Sequence, residues 1–406
     1  MSFLFDNKKN ISPKFNALLK WLVMILSAAA VGVICGIVGG AFVRSISFVT
    51  ELRAEYKWVI FLLPLGGLAS AALYKFSKAE GIGTDRVLES ATGAAKMPVW
   101  LMPVVFAASV ITHLFGGSAG KEGAALQMGG SVAELVSKVV KADVKLRSVL
   151  TVCGMAGLFS AAFGTPVGAC IFALEVAVIG EINTVAILPA VIASVISYFI
   201  STALGVHPES FDVGYIPGIG IAVLIKAVVI SLAVSIVAGV FCCMLRGGKK
   251  LAGQVLKNPF IRIFAGGCIV IALTMIFGTD YNGGGMFVVE RIFEEGTVHP
   301  EAFLLKIVFT VITISAGYKG GEIVPSFFIG ATLGAVLATV FGLPLGLGAA
   351  IGMVAFFASV TNCQIAAAVI AVELFGANGF IYFALAAFTA RVFFRKTGLY
   401  SKQVIN

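Results

Sequence analysis

Apolar stretches of about 18 residues, long enough for a helix to cross a bilayer, recur along this chain at 21–43, 58–74, 184–204, 220–245 and 264–277 with its flanks. A large soluble core would need charged outer faces on its helices. Here 12% of the residues are charged and 59% hydrophobic, about half the usual share of charge, and the mean hydropathy is +1.03. The composition excludes a large soluble α/β core and predicts an all-α polytopic membrane protein.

Charge sets the expected orientation. Basic residues gather at Lys8, Lys9, Lys14 and Lys20, at 138–147, at 246–262 and at 391–402, whereas 279–301 holds Asp280, Glu290, Glu294, Glu295 and Glu301 against Arg291 alone. By the positive-inside rule the basic clusters are cytoplasmic, the acidic connection is external, and both termini lie inside. The net charge of +9 is explained by this topology, and no nucleic-acid partner is expected. The first apolar stretch is too long for a signal-peptide core and is read as a retained first helix. The seven cysteines, at 35, 153, 170, 242, 243, 268 and 363, are expected in apolar helices as small hydrophobes. They make no metal-ligand spacing, His113, His207 and His299 are dispersed, and no metal or cofactor is expected.

The two halves resemble each other. Gly120-x-Glu122-x-Ala124, followed by Gly129, lies on Gly321-x-Ile323-x-Pro325, followed by Gly330. Further on, the segment from Gly164 to Glu175 matches that from Asn362 to Glu373. A repeat of about half the chain is the signature of transporters built from two related halves. The expected organisation is a cytoplasmic segment at 1–20, a first membrane repeat at 21–205, an external connection at 206–218, a second repeat at 219–394 and a C-terminal segment at 395–406. Frequent glycines among the apolar segments predict broken helices, tolerated at membrane depth where they line an enclosed cavity.

Within the first repeat, Gly116-Gly117-Ser118-Ala119-Gly120-Lys121-Glu122-Gly123 sets a carboxylate among glycines between two apolar segments. A carboxylate at membrane depth is costly, and function is the usual reason to keep one. The glycines let backbone N–H groups approach a ligand, and the run from Ala124 can open a helix whose N-terminus favours anions. The bland alternative is a carboxylate capping its own helix.

Gly81-Ile82-Gly83-Thr84-Asp85, Gly120-Lys121-Glu122-Gly123-Ala124, Gly321-Glu322-Ile323-Val324-Pro325 and Tyr400 together resemble the CLC chloride channel and transporter family, whose patterns are GSGIP, GREGP, GxFxP and a tyrosine near the C-terminus. The resemblance covers essentially the whole chain. It implies the CLC fold of two inverted-topology repeats with many broken and tilted helices, a homodimer in the lipid bilayer, and one anion pathway per subunit. It puts Glu122 at the gating and proton-carrying glutamate. It puts Ile82, Gly83, Thr84, Gly120, Lys121, Gly123, Glu322, Ile323, Val324 and Tyr400 along the anion path.

The departures from the pattern matter. Ile82 stands where chloride-binding members have serine, Glu322 where they usually have an uncharged residue, Ile323 replaces the central aromatic, Ala124 the proline and Lys121 the arginine. This set is similar to the fluoride-exporting branch, which abandons the pore serine and carries an acid in the third motif. Fluoride is a strong acceptor, and a protonated Glu122 or Glu322 would give it a short, strong hydrogen bond. At the family's internal proton-path glutamate this chain has Val176, with Glu175 one residue earlier. One residue turns a helical side chain by about 100°, so Glu175 and its repeat mate Glu373 are read as structural.

The expected function is fluoride/proton antiport exporting fluoride across a bacterial inner membrane. A chloride/proton exchanger or a passive voltage-gated-type chloride channel of the same fold is the nearest alternative. A membrane enzyme using Glu122, Glu322 and His113 lacks a nucleophile–base constellation, and a cation transporter would face the wrong end of the helix dipoles. With the chain ending at Asn406, soon after Tyr400, no cytoplasmic regulatory domain is expected.

Overall fold

Residues 13–392 and 398–405 are described by a computed structural model. Among them, sixteen α-helices fall into two series of eight in the same order. The first series is α1 (Pro13–Glu55), α2 (Leu63–Phe76), α3 (Thr84–Ala91), α4 (Leu101–Leu114), α5 (Glu122–Val139), α6 (Val144–Phe163), α7 (Pro166–Glu175) and α8 (Ile187–Ala203). The second is α9 (Ile221–Val255), α10 (Pro259–Phe277), α11 (Met286–Glu295), α12 (Ala302–Ala316), α13 (Ile323–Phe341), α14 (Leu345–Thr361), α15 (Gln364–Phe375) and α16 (Phe380–Thr389). Helices α5 and α13 begin 201 residues apart, at 122 and 323, the offset of the glycine repeat.

Local chemistry sets the helix ends. Asp143 caps α6, its Oδ1 accepting from Leu146 N–H at 2.9 Å, and Asn258 caps α10 ahead of Pro259 in the same way. Proline stands in the first turn of α2, α7 and α10, where its missing N–H costs nothing. The apolar stretches read from sequence lie within α1, the Lys57–Phe76 span, the Thr184–Ala203 span, α9 and α10. Among the described residues, seven helical spans are long and apolar enough to cross a membrane, and several other apolar helices are shorter. Large apolar side chains such as Phe199, Ile221, Ile225 and Met275 stand exposed on α8, α9 and α10, the surface expected of a protein solvated by lipid.

The core forms where glycines let helices touch. A Cβ on Gly129 of α5 would meet the carbonyl oxygen of Gly154 on α6 at 2.1 Å, and one on Gly352 of α14 would meet that of Gly330 on α13 at the same distance. The equivalent helix pair in each series is thus packed backbone to backbone. The β structure described is one two-residue parallel pair, β1 (Val178–Ile179) with β2 (Val404–Ile405).

One expectation is corrected. Cys363 lies between α14 and α15 rather than inside a helix, because Asn362, in the left-handed conformation at φ 59°, ends α14 there. The acidic connection at 279–301 carries a helix of its own, α11. Arg395, Lys396 and residues 1–12 lie outside the described residues.

Candidate functional site

The glycine motifs of the two halves meet. Gly120 N–H donates to Gly321 O at 2.7 Å, and Gly321 N–H returns a bond to Gly120 O at 2.6 Å. This short antiparallel bridge brings the first turns of α5 and α13 together. The glycines are there because nothing larger fits. A Cβ on Gly123 would meet Gly321 Cα at 2.8 Å, and one on Gly120 would meet Glu122 Oε2 at 2.7 Å and Val324 Cβ at 2.9 Å. Gly120, Gly123, Ile323 and Val324 therefore form the junction, the last two being buried beside it.

Glu122 opens α5 beside this bridge and is fully buried. Backbone N–H groups of Glu122 and Val324 act on its carboxylate, yet neither oxygen accepts a hydrogen bond of good geometry. A buried carboxylate without a partner is costly.

On one side of the junction lies a cavity of about 240 Å³. Ile82, Gly83, Thr84, Glu322 and Tyr400 all line it, with Tyr74, Gln127, Lys249 and Lys319 among the further lining residues. Tyr400 is 6% exposed and its hydroxyl has no partner. Asp85, Glu122 and Glu322 all lie within electrostatic reach of that hydroxyl. Glu322 ends the loop before α13, with Lys249 Nζ at 3.2 Å from its Oε1. Thr84 opens α3, and its Oγ1 is 3.4 Å from Gln127 Nε2.

The segment carrying Tyr400 is held at several points. Asp85 Oδ1 accepts from the N–H groups of Ser401 at 2.9 Å and Lys402 at 3.3 Å, and its Oδ2 accepts from Ser401 Oγ at 2.5 Å. Arg246 donates to Gly398 O. Gln403 Nε2 donates to Val176 O at 2.9 Å and Thr361 O at 2.7 Å. Asp85 was within a motif quoted for its glycines, but its partners lie 316 residues away in sequence, and no local signal announces them. Lys249, 73 residues from Glu322 in sequence, is hidden for the same reason, whereas Gln127 and Lys319 stand close to the glycine motifs without a pattern that marks them.

Lys121 turns the other way. Its Nζ lies 2.9 Å from Glu209 Oε1 and 5.9 Å from the centre of the Phe163 ring. Glu209 borders a second cavity, of about 680 Å³, lined also by His207, Asp212, Glu290, Phe293 and Glu294. Glu290 has its carboxyl above the ordinary glutamate range, through burial and then through Glu209 and Glu294 nearby. Lys306 is completely buried and donates to Tyr281 O at 3.1 Å and Gly283 O at 2.8 Å.

Glu175 and Glu373 cap helices across the repeat. Glu175, ending α7, accepts from Ile365 and Ala366 N–H at the start of α15 at 3.2 and 2.9 Å. Glu373, on α15, accepts from Val167 and Gly168 N–H at the start of α7 at 2.9 and 2.7 Å. Each carboxylate occupies the positive end of the other's helix. Val176 itself is buried and apolar.

Comparison with known proteins gives a consistent picture. The family model described as voltage gated chloride channel matches residues 65–395. A chloride/fluoride channel protein of Pseudomonas syringae pv. tomato is 32% identical over 397 residues, covering 95% of this chain and 86% of that protein. An H(+)/Cl(-) exchange transporter, ClcA, of Vibrio campbellii is 22% identical, covering 86% of this chain and 81% of that one. Among solved structures, a CLC-type fluoride/proton antiporter matches with a TM-score of 0.93 and 32% identity, over 96% of this chain and 99% of that one. A slow cyanobacterial Cl-/H+ antiporter matches with a TM-score of 0.77 at 18% identity, over 92% and 96%, and bears on the fold alone.

Proposed function

Because this chain belongs to the voltage gated chloride channel family and is a CLC-type anion transporter, we propose that its cargo is fluoride, exported in exchange for protons, with Glu122 as the gate and proton carrier. The observation that carries this reading is the buried, unpartnered Glu122 carboxylate within reach of the unpartnered Tyr400 hydroxyl. Two buried polar groups without a hydrogen-bond partner among the described residues, in electrostatic reach of each other, support an ion site between them.

The chemistry of the site supports fluoride over chloride. Ile82 puts an apolar side chain on the cavity where a serine hydroxyl would favour a larger halide. Fluoride, small and tightly hydrated, requires strong donors in exchange for its water, and the hydroxyl of Tyr400 and a protonated carboxyl at Glu122 or Glu322 are such donors. The ionised Glu122 occupies an anion position and blocks the path. Protonation releases it, so one side chain couples the two ions. Glu322, with Lys249 beside it, stands on the inner cavity where protons have to pass once Val176 has replaced an internal acid. The likeness to a fluoride/proton antiporter, at 32% identity over nearly the whole chain, supports the same reading. The protein acts as a homodimer in the bacterial inner membrane, with the Lys121–Glu209 side external and both termini cytoplasmic.

Fluoride efflux from proteoliposomes, with chloride in parallel and internal pH recorded, tests the proposal. Fluoride efflux well above chloride, with proton uptake that vanishes in Glu122→Gln, is expected. Chloride flux equal to or above fluoride overturns the assignment of the anion.

A further inference from the structure

We propose that Glu209 is a positioning residue for the gate, holding the Lys121 ammonium at the outer vestibule so that it does not pin the neighbouring Glu122 carboxylate in the anion path. The inference rests on Glu122 being the gate. Lys121 immediately precedes it, so a cation is tethered next to a carboxylate whose release opens the pathway. Left to itself, that cation would take Glu122 as its counter-ion. The two acids whose fields reach the Lys121 ammonium are Glu209 and Glu122, and Glu209 has it, at 2.9 Å. Both partners are mostly buried, with side-chain exposures of 15% and 22%, so solvent screens the choice only partly.

The charged groups that act on His113 together with Lys121, namely Arg53 and Lys306, are engaged elsewhere. His113 on α4 has its Nδ1 on Ser109 O at 2.8 Å. Arg53 donates to His113 O, and Lys306 is engaged by Tyr281 and Gly283 carbonyls. On the inner side, Glu322 has Lys249 and Asp85 has the Ser401 turn. Among the described residues, Lys121 is the cation whose field acts on the Glu122 carboxylate. The second Glu209 oxygen has no hydrogen-bond partner among the described residues, and Lys121 is the cation that the carboxylate pairs with. Glu209 comes from the connection between the halves, 88 residues downstream, which ties that connection to the state of the gate.

Neutralising Glu209 should therefore strand the ammonium beside Glu122 and keep the gate ionised and closed. Glu209→Gln is expected to slow anion efflux from proteoliposomes by about tenfold. Adding Lys121→Gln removes the stranded cation, so the double variant should run faster than Glu209→Gln and within about threefold of Lys121→Gln alone. Glu209→Asp keeps the charge on a shorter arm and should be intermediate, again relieved by Lys121→Gln. If the pair were only a strut between the connection and the motif, the double variant would be as slow as Glu209→Gln, and that result overturns the proposal. So does a Glu209→Gln protein with unaltered efflux. Should Glu209→Gln fail to fold, the Asp series decides: Glu209→Asp/Lys121→Gln slower than Glu209→Asp refutes the idea. Each rate is taken relative to the unaltered protein with fluoride and with chloride. A wrong anion assignment thus appears in the unaltered protein's own fluxes and leaves the Glu209 comparison intact.

Discussion

Replacing Glu175 with alanine should destabilise the protein without touching transport by the molecules that remain folded. The carboxylate satisfies two buried N–H groups at the start of α15, at 3.2 and 2.9 Å, and is itself only 5% exposed. A hydrogen bond to a charged group contributes about 1.5–3 kcal/mol. Taking the lower end for the longer bond and a middle value for the shorter gives a loss of about 3–4 kcal/mol. For a chain of this size that is a fall in melting temperature on the order of 5 °C. Glu175→Gln keeps one acceptor oxygen and should lose about half as much. Unfolding can be followed in detergent with a thiol-reactive dye, because Cys35, Cys153, Cys170, Cys242 and Cys363 are buried in the folded protein. Glu373→Ala should behave alike, and because the two carboxylates clamp the same pair of helices, the double variant should lose less than the two single losses combined. A Glu175→Ala protein that melts normally but no longer takes up protons would refute this reasoning and put Glu175 in the proton route.

Three further outcomes follow from the site. Ile82→Ser should lower the fluoride-to-chloride flux ratio by about fivefold, the effect of one hydrogen bond of about 1 kcal/mol offered to chloride; an unchanged ratio means this position does not select. Asp85→Ala frees the turn that carries Tyr400, so the anion concentration for half-maximal transport should rise by about tenfold with little change in maximal rate, whereas Asp85→Glu should recover part of it. Glu290, whose folded carboxyl binds its proton more readily than in the unfolded chain, adds stability as pH falls through the range just above the ordinary glutamate value and loses it as pH rises. Melting temperatures of Glu290→Gln should accordingly rise less on mild acidification than those of the unaltered protein.

Much of the scaffold was legible in the sequence because hydrocarbon imposes a length on its helices. The stretch 21–43 lies inside α1, 220–245 lies in α9 but for its first residue, and 58–74 and 184–204 coincide to within a residue or two with spans that join a 3-10 turn to a helix. Helix α5 was harder to read as a span, since Glu134 and Lys138 interrupt its apolar run. The repeat was visible through Gly120 and Gly321, and the structure shows why the glycines persist: their main chains pair. Glu175 and Glu373 were read as structural from their matched positions, and they cap each other's helices. The Lys121–Glu209 pair was not legible. Adjacency in sequence set Lys121 beside Glu122, but side-chain direction at a helix start is decided by distant groups. Nor could any local pattern reveal that Asp85 holds the C-terminal turn, since that contact depends on the chain closing on itself.

The bridge between Gly120 and Gly321 also governs the order in which this molecule can be made. As the chain leaves the ribosome, the first series of helices enters the bilayer with the peptide groups of Gly120 and the carboxylate of Glu175 still lacking the partners that the second series supplies. Neither half is chemically finished alone. The nascent protein has to hold these unmet groups, sheltered by water or an insertion chaperone, until Gly321 and the start of α15 arrive. Quality-control proteases that sense unpaired polar groups in membranes should therefore clear chains truncated before the second glycine motif far faster than complete ones.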